Sequence, residues 1–465
     1  MINLNLPLKL LTTLFILFVV LSSCKKDKSE ADDFSLEYKV KADERDSAYL
    51  YTRAWYLWAD KLPPITIFQP RDLTDIYKVM DKVKTFESLD KWSFVETKAE
   101  TLQSQQGSST DFGFLVKFAP GSNTEIRVTY AYANSTAGLA GIKRSWRLNK
   151  INDRVINRSI QADVEFINDI FFGTPQKAKF EFIKPDNSVV TIDLQKTTYT
   201  LNTVLYSKVY TKGAKKIGYF VFNEFSGSTS VNELVSTIND FQNKGVNEIV
   251  VDLRYNRGGF VSTQDTLANM LAPLSVGRAQ KVMYTYEFNK NFSSLNESFK
   301  FYKTGTLNLN QIVFIVSPSS ASASELLINN LRPVLSVRLI GDTRTYGKPV
   351  GFFPIPVFSY NIFPVSFKTV NSNGEADYYS GFPVNKQVAD DLNHDFGDEE
   401  EANLKAALSY LTTGAYTASV LASRFSEAEI KKTAEINYNF FENIPSATIE
   451  NRPSRMPAII GNLQK

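Results

Sequence analysis

Gln311–Lys348 reads QIVFIVSPSSASASELLINNLRPVLSVRLIGDTRTYGK, and the pattern of this stretch decides the fold class. Ile312-Val313-Phe314-Ile315-Val316 is an unbroken apolar run of β-type residues, the pattern of a strand buried on both faces. Ser317-Pro318 breaks the run, and the small-residue cluster Ser319-Ser320-Ala321-Ser322-Ala323-Ser324 follows. A helical pattern then begins at Glu325, with Leu326, Leu327, Asn330 and Leu331 at i, i+3, i+4 spacing. Val337-Arg338-Leu339-Ile340-Gly341 reads as another strand and Thr345-Tyr346-Gly347-Lys348 as the turn beyond it. Strand, tight turn and helix together place hydroxyl groups at a helix N-terminus, beside free backbone N–H groups and the positive end of the dipole. A carbonyl can be attacked there and its oxyanion held. On the cluster alone, the serines read equally as helix caps, with Ser322 or Ser324 as N-cap. Lys348 sits on a loop beside them, in apolar surroundings able to depress its pKa.

Upstream, the same alternation of strand and helix continues. Ile217–Phe222 reads as a strand, and Val231, Leu234, Val235, Ile238 and Phe241 form one helix face. Glu248–Leu253 is the next strand, ending in Arg254-Tyr255-Asn256-Arg257-Gly258-Gly259, where a Gly-Gly turn lets backbone approach a ligand closely. The fold expected over 201–416 is therefore a βα layered domain.

Ser320–Glu325 followed by Gly341–Lys348 resembles the C-terminal processing (tail-specific) serine proteases of the S41 family, and Asp252–Gly259 is similar to that family's DLRxNxGG motif. The resemblance implies a Ser–Lys dyad with Ser322 as nucleophile and Lys348 as general base. It also implies an oxyanion hole from the amide of Gly258 or Gly259 and the amide of Ala323, with no cofactor and no metal. Many family members carry a Gln four residues after the lysine; Phe352 stands there in this chain. Tyr346, Val350 and Phe352 are the expected apolar surround of Lys348.

Composition narrows the alternatives. The chain of 465 residues has room for two or three domains, and 43% hydrophobic and 13% aromatic residues are ample for packed cores. A net charge of +3 gives no sign of a nucleic-acid partner. One Cys and one His exclude an intrachain disulfide, a cysteine-rich metal site and any multi-histidine metal site. A Ser-His-Asp triad would have to use His394, which lies in the polar run Asp390–Asp395 and reads as a solvated surface residue. There is no G-x-S-x-G elbow.

Residues 1–24 read as a secretory signal whose apolar segment is Leu10–Leu21. Leu21-Ser22-Ser23-Cys24 resembles a bacterial lipobox, which implies cleavage before Cys24, lipidation of that cysteine and a membrane-anchored place in the cell envelope. Residues 25–33 form a charged tether, and 34–104 read as a small helical domain. There, Tyr49, Leu50, Arg53, Ala54, Leu57 and Trp58 are periodic up to Pro63-Pro64, and a second run covers Asp72–Val83. The stripe Tyr51-Trp55-Trp58 reads as core or domain contact.

Residues 105–200 are rich in strands, expected at Phe112–Phe118, Glu125–Tyr132, Ala178–Ile183 and Val189–Leu194. This region is similar to PDZ domains. The resemblance implies that Phe112-Gly113-Phe114 is the substrate-binding, carboxylate-facing loop, and that a peptide tail adds as a strand. Asp111 stands where such loops carry their first glycine. A closing helix is expected over Asp398–Tyr410, and 417–465 is a tail, partly helical at Glu427–Phe441.

The expectation is thus a multidomain α/β protein that acts on proteins or peptides as a lipid-anchored endopeptidase. A protease-like lipoprotein that binds peptide tails without cutting them, and a hydrolase of small esters or amides, are the other two readings.

Overall fold

In a computed structural model, which describes residues 43–416, the apolar runs of the opening stretch lie at the centre of a six-stranded sheet. Its strands are β1 (Val204–Lys212), β2 (Lys215–Phe222), β3 (Glu248–Asp252), β4 (Gln311–Val316), β5 (Ser336–Gly341) and β6 (Lys386–Gln387). They lie side by side in the order β6-β5-β4-β3-β2-β1, parallel from β2 to β6, with β1 antiparallel at the edge. Every residue of β3 is buried, as is every residue of β4 after Gln311, because helices cover both faces.

Side chains alternate between those faces. Phe220, Phe222, Ile249, Val251, Ile312, Phe314 and Val316 join one core with helices α1 (Gly227–Asn243), α2 (Val261–Leu271) and α3 (Ala323–Leu331). Tyr219, Val221, Val250, Val313 and Ile315 join a second core, under helix α4 (Ala402–Thr413). α4 starts later than the expected Asp398, because Glu401 caps it by accepting from the Leu404 N–H at 2.8 Å. The face of α1 is also rotated from the expected one. Ser230, Leu234, Thr237, Ile238 and Phe241 are buried, while Val235 is exposed.

The first helices, Glu44–Trp55 and Ile76–Lys84, pack Tyr49, Trp55, Val79 and Met80 into the same core as α1–α3, and Trp55 stacks on Phe292 at 3.9 Å between ring centroids. A strand at Phe94–Thr97 pairs antiparallel with Tyr360–Phe363. The aromatic stripe is core here: Trp55 is fully buried and Tyr51 nearly so.

Residues Phe112–Leu194 enclose a third core of their own. Five antiparallel strands, Phe114–Phe118, Ile126–Ala131, Arg147–Ile151, Lys177–Ile183 and Val189–Gln195, lie in chain order, and Phe114–Phe118 is an edge. Helix Gln161–Phe172 packs on this sheet through Ile167, Ile170 and Phe171. Neither that helix nor the central strand had been anticipated as such from the residues.

The signal segment, the tether, Cys24 and the helix expected at Glu427–Phe441 lie outside the described residues. Among the described residues no helix is long and apolar enough to cross a membrane.

Candidate active site

β4 ends at Val316, and the chain turns through Ser317–Ser322 before α3 begins at Ala323. The serines of this turn have different tasks. The Ser320 hydroxyl donates to the Leu253 carbonyl at 2.7 Å, and the Ser324 hydroxyl to the Asn256 carbonyl at 3.0 Å, so both peg the turn to the segment that follows β3. Of the two serines the cluster offers as N-cap, Ser324 lies inside α3. Ser322 stands at the N-cap position with φ +58° and ψ −114°, a conformation that costs a non-glycine residue about 1–3 kcal/mol. It is held there from both sides. The Ala321 N–H donates to the Asn256 carbonyl at 3.1 Å, and the Ser322 N–H to Glu325 Oε2 at 3.0 Å. The Ala323 amide follows as the first of α3, among the N–H groups a helix cannot satisfy internally.

Glu325 is the residue that sequence reasoning missed. It is fully buried, and its carboxylate gathers four donors. Oε1 accepts from the Thr345 hydroxyl and the Gly347 amide, both at 2.6 Å. Oε2 accepts from the Lys348 amide at 2.8 Å and from the Ser322 amide. One side chain therefore fixes the backbone of both Ser322 and Lys348, although 26 residues separate them. Burial pushes the Glu325 carboxyl up to about 7, against the pull of the Thr345 hydroxyl and the three amides. The signal in the sequence was a carboxylate three residues past Ser322, the one charged residue of the helix.

Lys348 is 1% exposed, and its Nζ lies 4.2 Å from the centre of the Phe352 ring. Phe352 is itself packed against Phe94 and Phe363 at 5.1 and 5.9 Å. The aromatic face thus occupies the position where a glutamine was expected, and bounds the ammonium group from one side. Burial, and then the Arg257 charge, lower the lysine to about 7, while Glu325 and Asp90 pull the other way. Val350 is also buried and Tyr346 half-buried.

The two glycines after β3 divide the expected role. The Gly258 N–H donates to Asn256 Oδ1 at 2.9 Å, so that amide is committed within its own turn. Asn256 is buried and anchored by donating to the Phe222 carbonyl at 2.9 Å. Gly258 instead supplies space. At φ +105°, a Cβ there would sit 2.8 Å from Ser322 Cβ and 3.0 Å from the Ala323 nitrogen.

A cavity of about 1060 Å³ runs up to this turn, lined there by Arg257, Gly258, Gly259, Ser319 and Tyr346. Its far wall is made by Asp111–Leu115 and by Phe171 and Phe172. Phe112 and Phe114, expected as substrate contacts, are 1% and 3% exposed and belong mainly to the core beneath that wall, in ring contact with Phe171 and Phe180. His394 is half-exposed rather than fully solvated, with Nδ1 2.7 Å from Asp391 Oδ2. Among the described residues no group of three or more His, Cys, Asp or Glu could hold a metal ion.

The profile of peptidase family S41 matches residues 216–370, which run from β2 past Lys348. A carboxyl-terminal-processing protease of Picosynechococcus is 29% identical to the chain over 162 residues, 35% of this chain and 36% of that protein. A "Probable CtpA-like serine protease" of Staphylococcus epidermidis is 25% identical over 265 residues, 57% of this chain and 50% of that protein. The chain therefore spans between about a third and a half of the length of these relatives. A crystal structure of a Bacteroides fragilis protein assigned to the S41 proteases shares the fold. Its TM-score is 0.63 at 23% identity, covering 79% of this chain and 97% of that one. The matched residues include Ser322, Lys348, Glu325 and both glycines, whereas the Asp111–Leu115 wall lies outside them.

Proposed function

We propose that this protein is a serine endopeptidase, lipid-anchored through Cys24 in the cell envelope, which cleaves peptide bonds with a Ser322–Lys348 dyad. The supporting observation is the shared carboxylate. Glu325 holds a strained serine at a helix N-terminus and a buried lysine in one constellation. In the reaction, Ser322 Oγ attacks the scissile carbonyl while its proton passes to the neutral Lys348 amine. The tetrahedral oxyanion lies on the amides of Gly259 and Ala323. Lys348 then returns the proton to the leaving amine, and water releases the acyl group by the same steps. A lysine drawn to about 7 is suited to both halves of this cycle near neutral pH.

Substrate enters as an extended segment along the cavity, lying against the PDZ-like unit. Support for this comes from the edge strand Phe114–Phe118 and helix Gln161–Phe172, which place residues on one wall, as in recognition by strand addition. Reaction with a fluorophosphonate, followed by peptide mapping, tests the assignment. Modification at Ser322, lost in Ser322→Ala, is expected. An unmodified protein that still binds peptides would favour the reading of a binder that does not cut.

A further inference from the structure

On the reading of the cavity as a peptide site, we propose that Asp111 occupies the place of a substrate's terminal carboxylate. The cavity then takes segments with a blocked or continuing end in preference to free-acid tails.

Asp111 ends a short strand, Ser108–Asp111, that pairs with Thr197–Thr200, and it forms part of the cavity wall. Its carboxylate is engaged by its own turn, its own strand and the strand paired with it. Oδ1 accepts from the Gly113 N–H and from the Tyr199 hydroxyl at 2.8 Å, and Oδ2 accepts from the Ser109 hydroxyl. The Gly113 turn that presents this amide is sterically fixed. Its φ is +80°, and a Cβ at Gly113 would lie 1.8 Å from Ser135 Cβ. The donor that an incoming carboxylate would seek is thus already bonded to a carboxylate of the protein.

The charges on the wall agree. Lys196 is the nearby cation; its Nζ donates to the Gly173 carbonyl at 2.9 Å, and burial lowers its pKa against the pull of the Asp111 and Asp169 charges. A second acid, Glu224, lines the same cavity. Burial pushes its carboxyl up to about 7, with Asp111 adding to the rise. An arriving carboxylate would meet an engaged amide and the like charge of Asp111, whereas a carboxamide or a continuing chain meets no such repulsion.

The test uses the full chain and one peptide made in two forms, free acid and C-terminal amide. Both forms are offered as substrates to the wild type and to Asp111→Asn, and as ligands to the Ser322→Ala protein. The amide should be cut at least as well as the acid. Asp111→Asn, which keeps the shape and removes the charge, should raise the acid-to-amide ratio of kcat/KM about tenfold, the scale of one unfavourable charge contact. Asp111→Gly, which also frees the Gly113 amide, should raise it further. Preference for the free acid by tenfold or more in the wild type, unchanged in Asp111→Asn, would overturn the proposal. If neither form is cut, the same preference is read from binding to the Ser322→Ala protein. Absence of binding by both forms would overturn the peptide-site reading itself, and the proposal with it.

Discussion

Lys348 is 1% exposed, with an aromatic face 4.2 Å from its Nζ and the Arg257 charge near enough to lower its pKa, so the neutral amine is favoured at a far lower pH than in water. Only that form can accept the Ser322 proton. The rate of peptide hydrolysis, measured as kcat/KM, should therefore rise with pH through a midpoint near 7, falling about tenfold for each unit below it. A midpoint near 10, the ordinary lysine range, would show that the burial does not act as described. Ser322 and Lys348 were legible because a two-part motif spans both. Glu325 was not, since its role exists only once the Thr345–Lys348 loop folds back over the start of α3. Spacing along the chain carries no record of that convergence. The commitment of the Gly258 amide to Asn256 was hidden for the same reason: a motif names glycines and does not say which N–H is free.

At the level of elements, the close approach of two turns defines the site. The Gly258-Gly259 turn after β3 and the Ser320–Ser322 turn after β4 come from adjacent parallel strands, so both lie at the same end of the sheet. Gly258→Ala places a methyl group 2.8 Å from Ser322 Cβ at a backbone angle that L-residues avoid. Its hydrolysis rate should fall by about 10²-fold or more, with a stability loss of about 1–3 kcal/mol in denaturant unfolding. Wild-type activity in this variant would mean that the two turns are not packed as described. β2, β3, β4 and β5 could be read from sequence within one or two residues, because their buried segments are runs of β-type apolar residues, broken in β5 only by Arg338. Gln161–Phe172 escaped because its buried face includes Asp163, which is paired with Arg154, and therefore interrupts the apolar period. Ser230 and Thr237 disguised the true face of α1 in the same way.

Across the whole molecule, a buried ionic network ties the five-stranded unit to the central sheet behind the site. Arg254 donates to Asp252 and Glu401 at 2.7 Å each and to Asp390 at 3.1 Å. Arg144 and Lys117, from the five-stranded unit, reach the same Asp390 at 2.9 and 3.2 Å. Burial pushes the Asp390 carboxyl up, but the three cations together hold it well below its ordinary value. No residue pattern announced these pairings, which join positions up to 273 apart. The proposed anchor belongs to this scale too. Cys24→Ser removes the sole cysteine, so the protein should leave the detergent-requiring membrane fraction or keep its leader. Unchanged membrane association would exclude lipidation as the anchor. The account rests most heavily on Ser322 and Lys348 acting as one unit, and steady-state hydrolysis of a peptide by the single and double alanine variants measures that directly. Ser322→Ala and Lys348→Ala should each lose about 10³-fold or more, with the double variant hardly worse than either, and His394→Ala should be nearly unaffected. A Lys348→Ala protein that still cuts, beside an inactive His394→Ala, would contradict the dyad.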